Sequence, residues 1–185
     1  MKIENIFKHL HLINKHRWFV FKRCCKAGIL LQGLTHDLSK YSPVEFWESV
    51  KYYNGTKSPI SECKEENGWS AAWQHHKGRN KHHYQYWIDT PGPDGTFNFI
   101  KIPYKYALEL ICDYLGAAQA YLGDKFSYET EYEWWINENK KHPLAMHPDT
   151  YSFINTMLFT MKMSNSDDCL QRDKSLQIYN SIKES

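Results

Sequence analysis

The 185-residue sequence has no C-x-x-C pair, and its five cysteines, Cys24, Cys25, Cys63, Cys112 and Cys169, are an odd number. That count excludes a fully paired disulfide framework, and the spacing excludes a cysteine zinc site. Adjacent Cys24 and Cys25 lie in a helical pattern and read as packing residues. No run reaches the roughly 18 apolar residues that a membrane-spanning helix needs. The N-terminal MKIENIFKHLHLINKHRWF has no apolar stretch of signal-peptide length. These absences point to a reducing cytoplasm and no membrane partner. Charge of one sign is also missing: 23 Lys+Arg against 21 Asp+Glu leave +2, so nothing drives the whole chain toward nucleic acid.

What the sequence does have is histidine and aromatic residues: ten His, seven Trp and thirteen Tyr, with His75, His76, His82 and His83 close together. A hydrophobic content of 42% over this length supports one folded domain spanning 1–185, with a core at about 3–163. Ile6, Leu10, Ile13, Phe19 or Val20 and Cys24 recur at three- and four-residue steps, predicting a helix from 3 to about 26 that ends at Gly28. A second helix is expected over 29–40. Ser42-Pro43-Val44-Glu45 starts a third as N-cap, first-turn proline and capping-box glutamate, running to Tyr53. Residues 56–69 read as a loop with at most one helical turn. Ser70 caps a helix carrying His75 and His76. Pro91-Gly92-Pro93-Asp94-Gly95, between 84–89 and 97–102, predicts a small β-hairpin or extended flap at about 84–102. Further helices are expected at 104–122, 128–140 and 148–163, with a tail helix at about 167–183. The fold class is all-α: a helical bundle with one hairpin insertion. The tryptophans at 18, 47, 73, 87, 134 and 135 are expected in the core, while Tyr84, Tyr86 and Trp87 suit stacking on a base or walling a pocket.

Three polar features on separate helices could converge: His16, the pair His36-Asp37, and Asp113 in the apolar stretch Leu110-Ile111-Cys112-Asp113-Tyr114-Leu115. A carboxylate in such a stretch is costly unless it is paired or binds a metal. Imidazole with carboxylate suits Zn, Fe, Mn or Co. Adjacent His and Asp diverge by about 100° on an ideal helix, so sharing one ion requires a distorted helix end. Taken singly, His16 reads as a partly buried helix histidine, Asp113 as an ion-pair or cap residue, and 75–83 as a solvated basic loop. His9, His11, His142 and His147 fit no ligand pattern and read as surface or satisfied histidines.

In that order, His16, His36-Asp37-Leu38-Ser39-Lys40 and Asp113 resemble the H…HD…D signature of the HD-domain superfamily of all-α, metal-dependent phosphohydrolases, over roughly residues 10–120. With its 75–83 cluster the chain also resembles an uncharacterised bacterial and phage family related to HD domains. The resemblance implies that His16, His36, Asp37 and Asp113 hold a divalent ion (Mn, Fe, Zn, Co or Mg). Asp37 would bridge to a second ion, whose further ligands are two histidines between the HD pair and the last Asp. In an unbroken helix, His75 to His82 or His76 to His83 would stand about 10 Å apart, too far to share an ion. Gly78 and Asn80 could break it and fold one His back. We take His76 and His82 as the ligands, with His75 and His83 as outer or proton-donating groups. Lys40, Lys77, Arg79 and Lys81 are the candidate contacts for a small anionic substrate such as a nucleotide. Lys40 and Arg79 have plainer readings, as a helix-end charge and a surface arginine.

The expected function is metal-dependent hydrolysis of a phosphate ester, with Asp37 and a spare histidine in catalytic roles. The alternatives are a di-iron oxygenase on the same scaffold and a non-enzymatic binding protein, for instance in phage–host conflict.

Overall fold

The computed structural model describes residues 3–141 and 145–182. Its helices are α1 (Ile3–Lys26), α2 (Leu30–Thr35), α3 (Pro43–Tyr52), α4 (Pro59–Asn67), α5 (Ala71–Lys77), α6 (Tyr104–Leu122), α7 (Tyr128–Lys141), α8 (Pro148–Ser164) and α9 (Arg172–Ser181). Single 3-10 turns lie at Leu38–Tyr41, Tyr84–Trp87, Gly123–Lys125 and Asp168–Leu170. The class is all-α. Among the described residues no helix is long and apolar enough to cross a membrane. His142 and the last residue of the expected tail helix lie outside the described residues.

Helix α6 is the central element. Ala107, Leu108, Leu110, Ile111, Cys112 and Leu115 are all fully buried. They pack in one core with Val20 and Cys24 of α1, Trp135 of α7, and Phe153, Ile154, Met157, Leu158 and Met161 of α8. α1 crosses α6 at Gly116, where an added Cβ would lie 2.4 Å from Val20 Cγ2 and 3.2 Å from Val20 N. Glycine thus sets how closely the two helices approach. Gly116→Ala gains about 1 kcal/mol of helix propensity. It forces an overlap against a stiff β-branched neighbour that costs more. A net loss of about 1–2 kcal/mol is expected, read as a lower urea midpoint with unchanged slope.

Several local expectations change. Residues 59–67 form a nine-residue helix where the sequence suggested a loop. Pro59 supplies its first turn, buried Cys63 faces inward, and Gly68 at φ 78° ends it with its N–H on Lys64 O. The expected strands at 84–89 and 97–102 reduce to a single antiparallel bridge, Ile88 to Phe99. Beside it Asp89 N–H donates to Asn98 O and Ile100 N–H to Trp87 O, and Tyr84–Trp87 is a 3-10 turn. Ser42 accepts from Glu45 N–H as expected, but the Glu45 carboxylate does not close the capping box. It turns to two histidines instead. Cys24 is buried, whereas Cys25, about 100° round the helix, is exposed. Of the tryptophans only Trp135 is fully buried; Trp18, Trp47, Trp69 and Trp134 are exposed at the surface.

Candidate metal centre

The second helix of the sequence reading is broken, and the break builds the site. α2 ends at Thr35, His36 is extended (φ −51°, ψ 125°), and Asp37 takes the left-handed conformation at φ 55°. A non-glycine residue there is strained by about 1 kcal/mol or more, and Asp and Asn tolerate it best. The kink removes the divergence of adjacent helical side chains, so His36 and Asp37 point the same way. Arg17 of α1 holds the break: its guanidinium donates to His36 O (2.8 Å), Leu34 O (2.9 Å) and Tyr41 Oη (3.1 Å). It satisfies backbone carbonyls left without helical partners.

His16, His36, Asp37 and Asp113 then meet around one point, all buried. His16 Nε2 lies 3.2 Å from His36 Nε2, 3.3 Å from Asp37 Oδ2 and 3.1 Å from Asp113 Oδ1. His36 Nε2 lies 3.4 Å from Asp37 Oδ2 and 3.3 Å from Asp113 Oδ1. Metal–ligand bonds of about 2.1 Å put neighbouring ligand atoms about 3.0 Å apart in an octahedron and about 3.4 Å apart in a tetrahedron. The observed edges fall in that interval, so the donor set fits a divalent cation.

A second group, Asp37 with His76, His82 and His83, gathers on the other carboxylate oxygen. Asp37 Oδ1 is 3.3 Å from His76 Nε2 and 3.5 Å from His82 Nε2. Asp37 Oδ1, His82 Nε2 and His83 Nε2 are buried without a hydrogen-bond partner in the described chain, an arrangement that a second cation would relieve. α5 stops at Lys77, and Asn80 folds the chain back by donating to His76 O (2.8 Å) and Ser39 Oγ (2.9 Å). Both His82 and His83 return to the site. Among the described residues neither group includes a thiol.

Two glutamates that the sequence reading missed orient the histidines. Glu109 Oε1 accepts from His36 Nδ1 at 3.0 Å and from His82 Nδ1 at 3.1 Å, tying one member of each group to a single oxygen. Glu45 takes His75 Nδ1 at 2.5 Å and His76 Nδ1 at 2.7 Å. Carboxylates behind metal-binding histidines fix the tautomer and ring orientation. The signal for Glu109 was its place four residues before Asp113, on the same face of an apolar helix. Glu109→Gln is expected to weaken metal binding about 10- to 100-fold, read by calorimetric titration.

The electrostatics show the same demand for positive charge. Burial lowers the His36 pKa, but Asp37, Asp113 and Glu109 outweigh it and lift it to about 10. Burial acts likewise on His76, where Asp37 and Glu45 bring the value to about 8. Against burial, His36, Lys40 and His76 hold Asp37 well below the usual carboxylate range. Asp113, also against burial, is held low by His16, His36 and His82. Burial, with His82 and His76 nearby, keeps His83 neutral by pushing its pKa well down. A field that holds protons on buried imidazoles also favours a divalent cation in their place.

A cavity of about 200 Å³ opens on this cluster, lined by Leu12, Ile13, Ile60, Trp73, Ala117 and Tyr121 together with His16, His76, His83 and Asp113. Lys40 lines it, with Nζ 2.6 Å from Asp37 Oδ2. Burial opposes the charge on Lys40, but Asp37 and Asp113 raise its pKa to about 12. Lys77, Arg79 and Lys81 are not among the lining residues. Arg79 donates back to His75 O, and Lys81 lies over the Tyr86 and Tyr106 rings. Arg79 and Lys81, on the turn that folds His82 inward, are exposed. His75 is spent on Glu45 and does not line the cavity either. Tyr84, Tyr86 and Trp87 pack away from it, with Trp87 Nε1 donating to Lys81 O. His9, read from the sequence as a surface or satisfied histidine, is buried in the cavity wall with Nδ1 unpartnered, and burial lowers its pKa to about 4.

Residues 5–160 match DUF5662, described as a family of unknown function, and the chain belongs to that family. No curated protein and no solved structure matches the chain.

Proposed function

We propose that this DUF5662 member is a metal-dependent phosphohydrolase of the HD type, acting on a compact phosphate ester. One observation carries the reading: two convergent ligand groups share Asp37 and open on a cavity that Lys40 also lines. The order of His16, His36-Asp37 and Asp113 along the chain, similar to the HD signature, supports it. A divalent cation bound there supplies an acidified water and neutralises phosphoryl charge.

The chain's own residues do the rest. Lys40 places an ammonium against the anionic group. Glu45 and Glu109 keep His76, His36 and His82 in fixed tautomers. The apolar wall of Leu12, Ile13, Ile60 and Trp73 excludes water and takes the organic part of the ester. With Lys77, Arg79 and Lys81 outside the cavity lining, one lysine faces the ligand. That charge suits a mono- or diester better than a polyphosphate, and a nucleoside monophosphate is the nucleotide that fits.

The test is a hydrolysis screen of p-nitrophenyl phosphate, its bis-ester and nucleotides. Protein would be stripped with chelator and reloaded with Mn, Fe, Zn, Co or Mg. Turnover of an ester is expected with at least one metal, with none in the stripped protein. An iron-loaded protein that consumes O₂ and leaves every ester intact would assign the oxygenase chemistry instead.

A further inference from the structure

A second cavity, of about 330 Å³, lies on the other side of Ala117 and Tyr121, which with Ser58 line both cavities. Tyr114, Ala118, Leu122, Thr130, Glu131 and Trp134 complete it. Tyr114 and Trp134 form a corner, their ring centroids 5.4 Å apart and their planes at 66°. Beside the corner stands Glu131, 4% exposed. Among the described residues no cation lies within ion-pair distance of its carboxylate; Arg23, which lowers its pKa from further off, is committed to Asp167 and Gln119. Burial dominates and lifts the Glu131 pKa to about 8. A carboxyl kept in an apolar cavity without a partner costs stability, and nothing in the metal centre uses it.

We propose that this cavity is a binding site for an organic ammonium group, with the cation against the faces of Tyr114, Tyr121 and Trp134 and its charge met by Glu131. The ring faces carry the negative end of the aromatic quadrupole, which attracts a desolvated cation. The carboxylate adds the countercharge that a purely apolar cavity lacks. Alkylated amines suit it best: they are weakly hydrated, and their methyl groups cover apolar wall.

The test uses choline and its neutral isostere 3,3-dimethyl-1-butanol, titrated calorimetrically into the full-length protein at pH 8.5. Choline is expected to saturate one site and to bind at least about tenfold more tightly than the alcohol. Glu131→Gln should weaken choline by about tenfold or more while leaving the alcohol unchanged. Trp134→Ala, at a position 44% exposed and so safe for folding, should weaken choline several-fold. Equal binding of choline and the alcohol would overturn the assignment. So would a Glu131→Gln protein that binds choline as wild type does, or the lack of saturable choline binding.

Discussion

Asp37→Asn is expected to leave a folded protein that no longer responds to metal. Asp37 is the one side chain in both ligand groups: Oδ2 faces His16 and His36, and Oδ1 faces His76 and His82. Removing its charge weakens both sites together. Asn is the informative replacement because it keeps the shape and tolerates the left-handed backbone at φ 55°, so a folding defect does not mask the loss of a ligand. At metal about a thousandfold above Kd, wild type gains about 4 kcal/mol by linkage, a rise of about 8–16 °C in Tm for a chain of this size. The variant should show a rise near zero and no hydrolysis under any metal. A Tm that still climbs with manganese as far as wild type would place the ion elsewhere.

Glu131→Gln is expected to stabilise the protein, and only above acid pH. The folded carboxyl releases its proton near 8, the unfolded one near 4.5. Below pH 4.5 both states are protonated and the group contributes nothing to the pH dependence. Between 4.5 and 8 the unfolded chain ionises while the folded one does not, so stability falls; above 8 the deficit is constant. Burial causes the shift, Arg23 opposes it, and Asp113 adds to it. The deficit at pH 8.5 is on the order of 4 kcal/mol, and Gln should recover most of it. Urea unfolding of chelated protein at pH 4.5, 6.5 and 8.5 measures this. The two curves should converge at the acid end and separate toward the alkaline end. A constant offset across the range would mean that Glu131 ionises normally.

Helical periodicity made most of the bundle legible. The stripe from Ile6 to Cys24 gave α1, and Ser42-Pro43 gave the start of α3. Helix α4 was hidden because its polar composition outweighs one buried cysteine, and periodicity is weak when so little is buried. The flap was over-read: Asp94-Gly95 makes its turn, but the flanking aromatics do not sustain a ladder. In the site, the order of His16, His36-Asp37 and Asp113 pointed to residues that the fold brings together. The divergence of adjacent helical side chains called for a distorted helix end at His36-Asp37; what the sequence could not show is its form, a left-handed Asp37, and its fastening by Arg17. Glu45 was misread because its spacing from Ser42 satisfied a capping box, while two imidazoles are stronger partners than one backbone N–H. The basic residues at 77–81 looked like substrate contacts because they interleave the histidines. On the folded turn Arg79 and Lys81 stay at the surface while His82 and His83 both turn in to the site, a division that sequence spacing does not show.

The most direct measurement is calorimetric titration of chelator-stripped wild-type protein with manganese, together with elemental analysis after dialysis. Two equivalents per chain, with protons released on binding and the uptake abolished by Asp37→Asn, are expected from two ligand groups that share one carboxylate. No uptake of Mn, Fe, Zn, Co or Mg, and a melting temperature that none of them raises, would contradict a metal centre at His16, His36, Asp37 and Asp113.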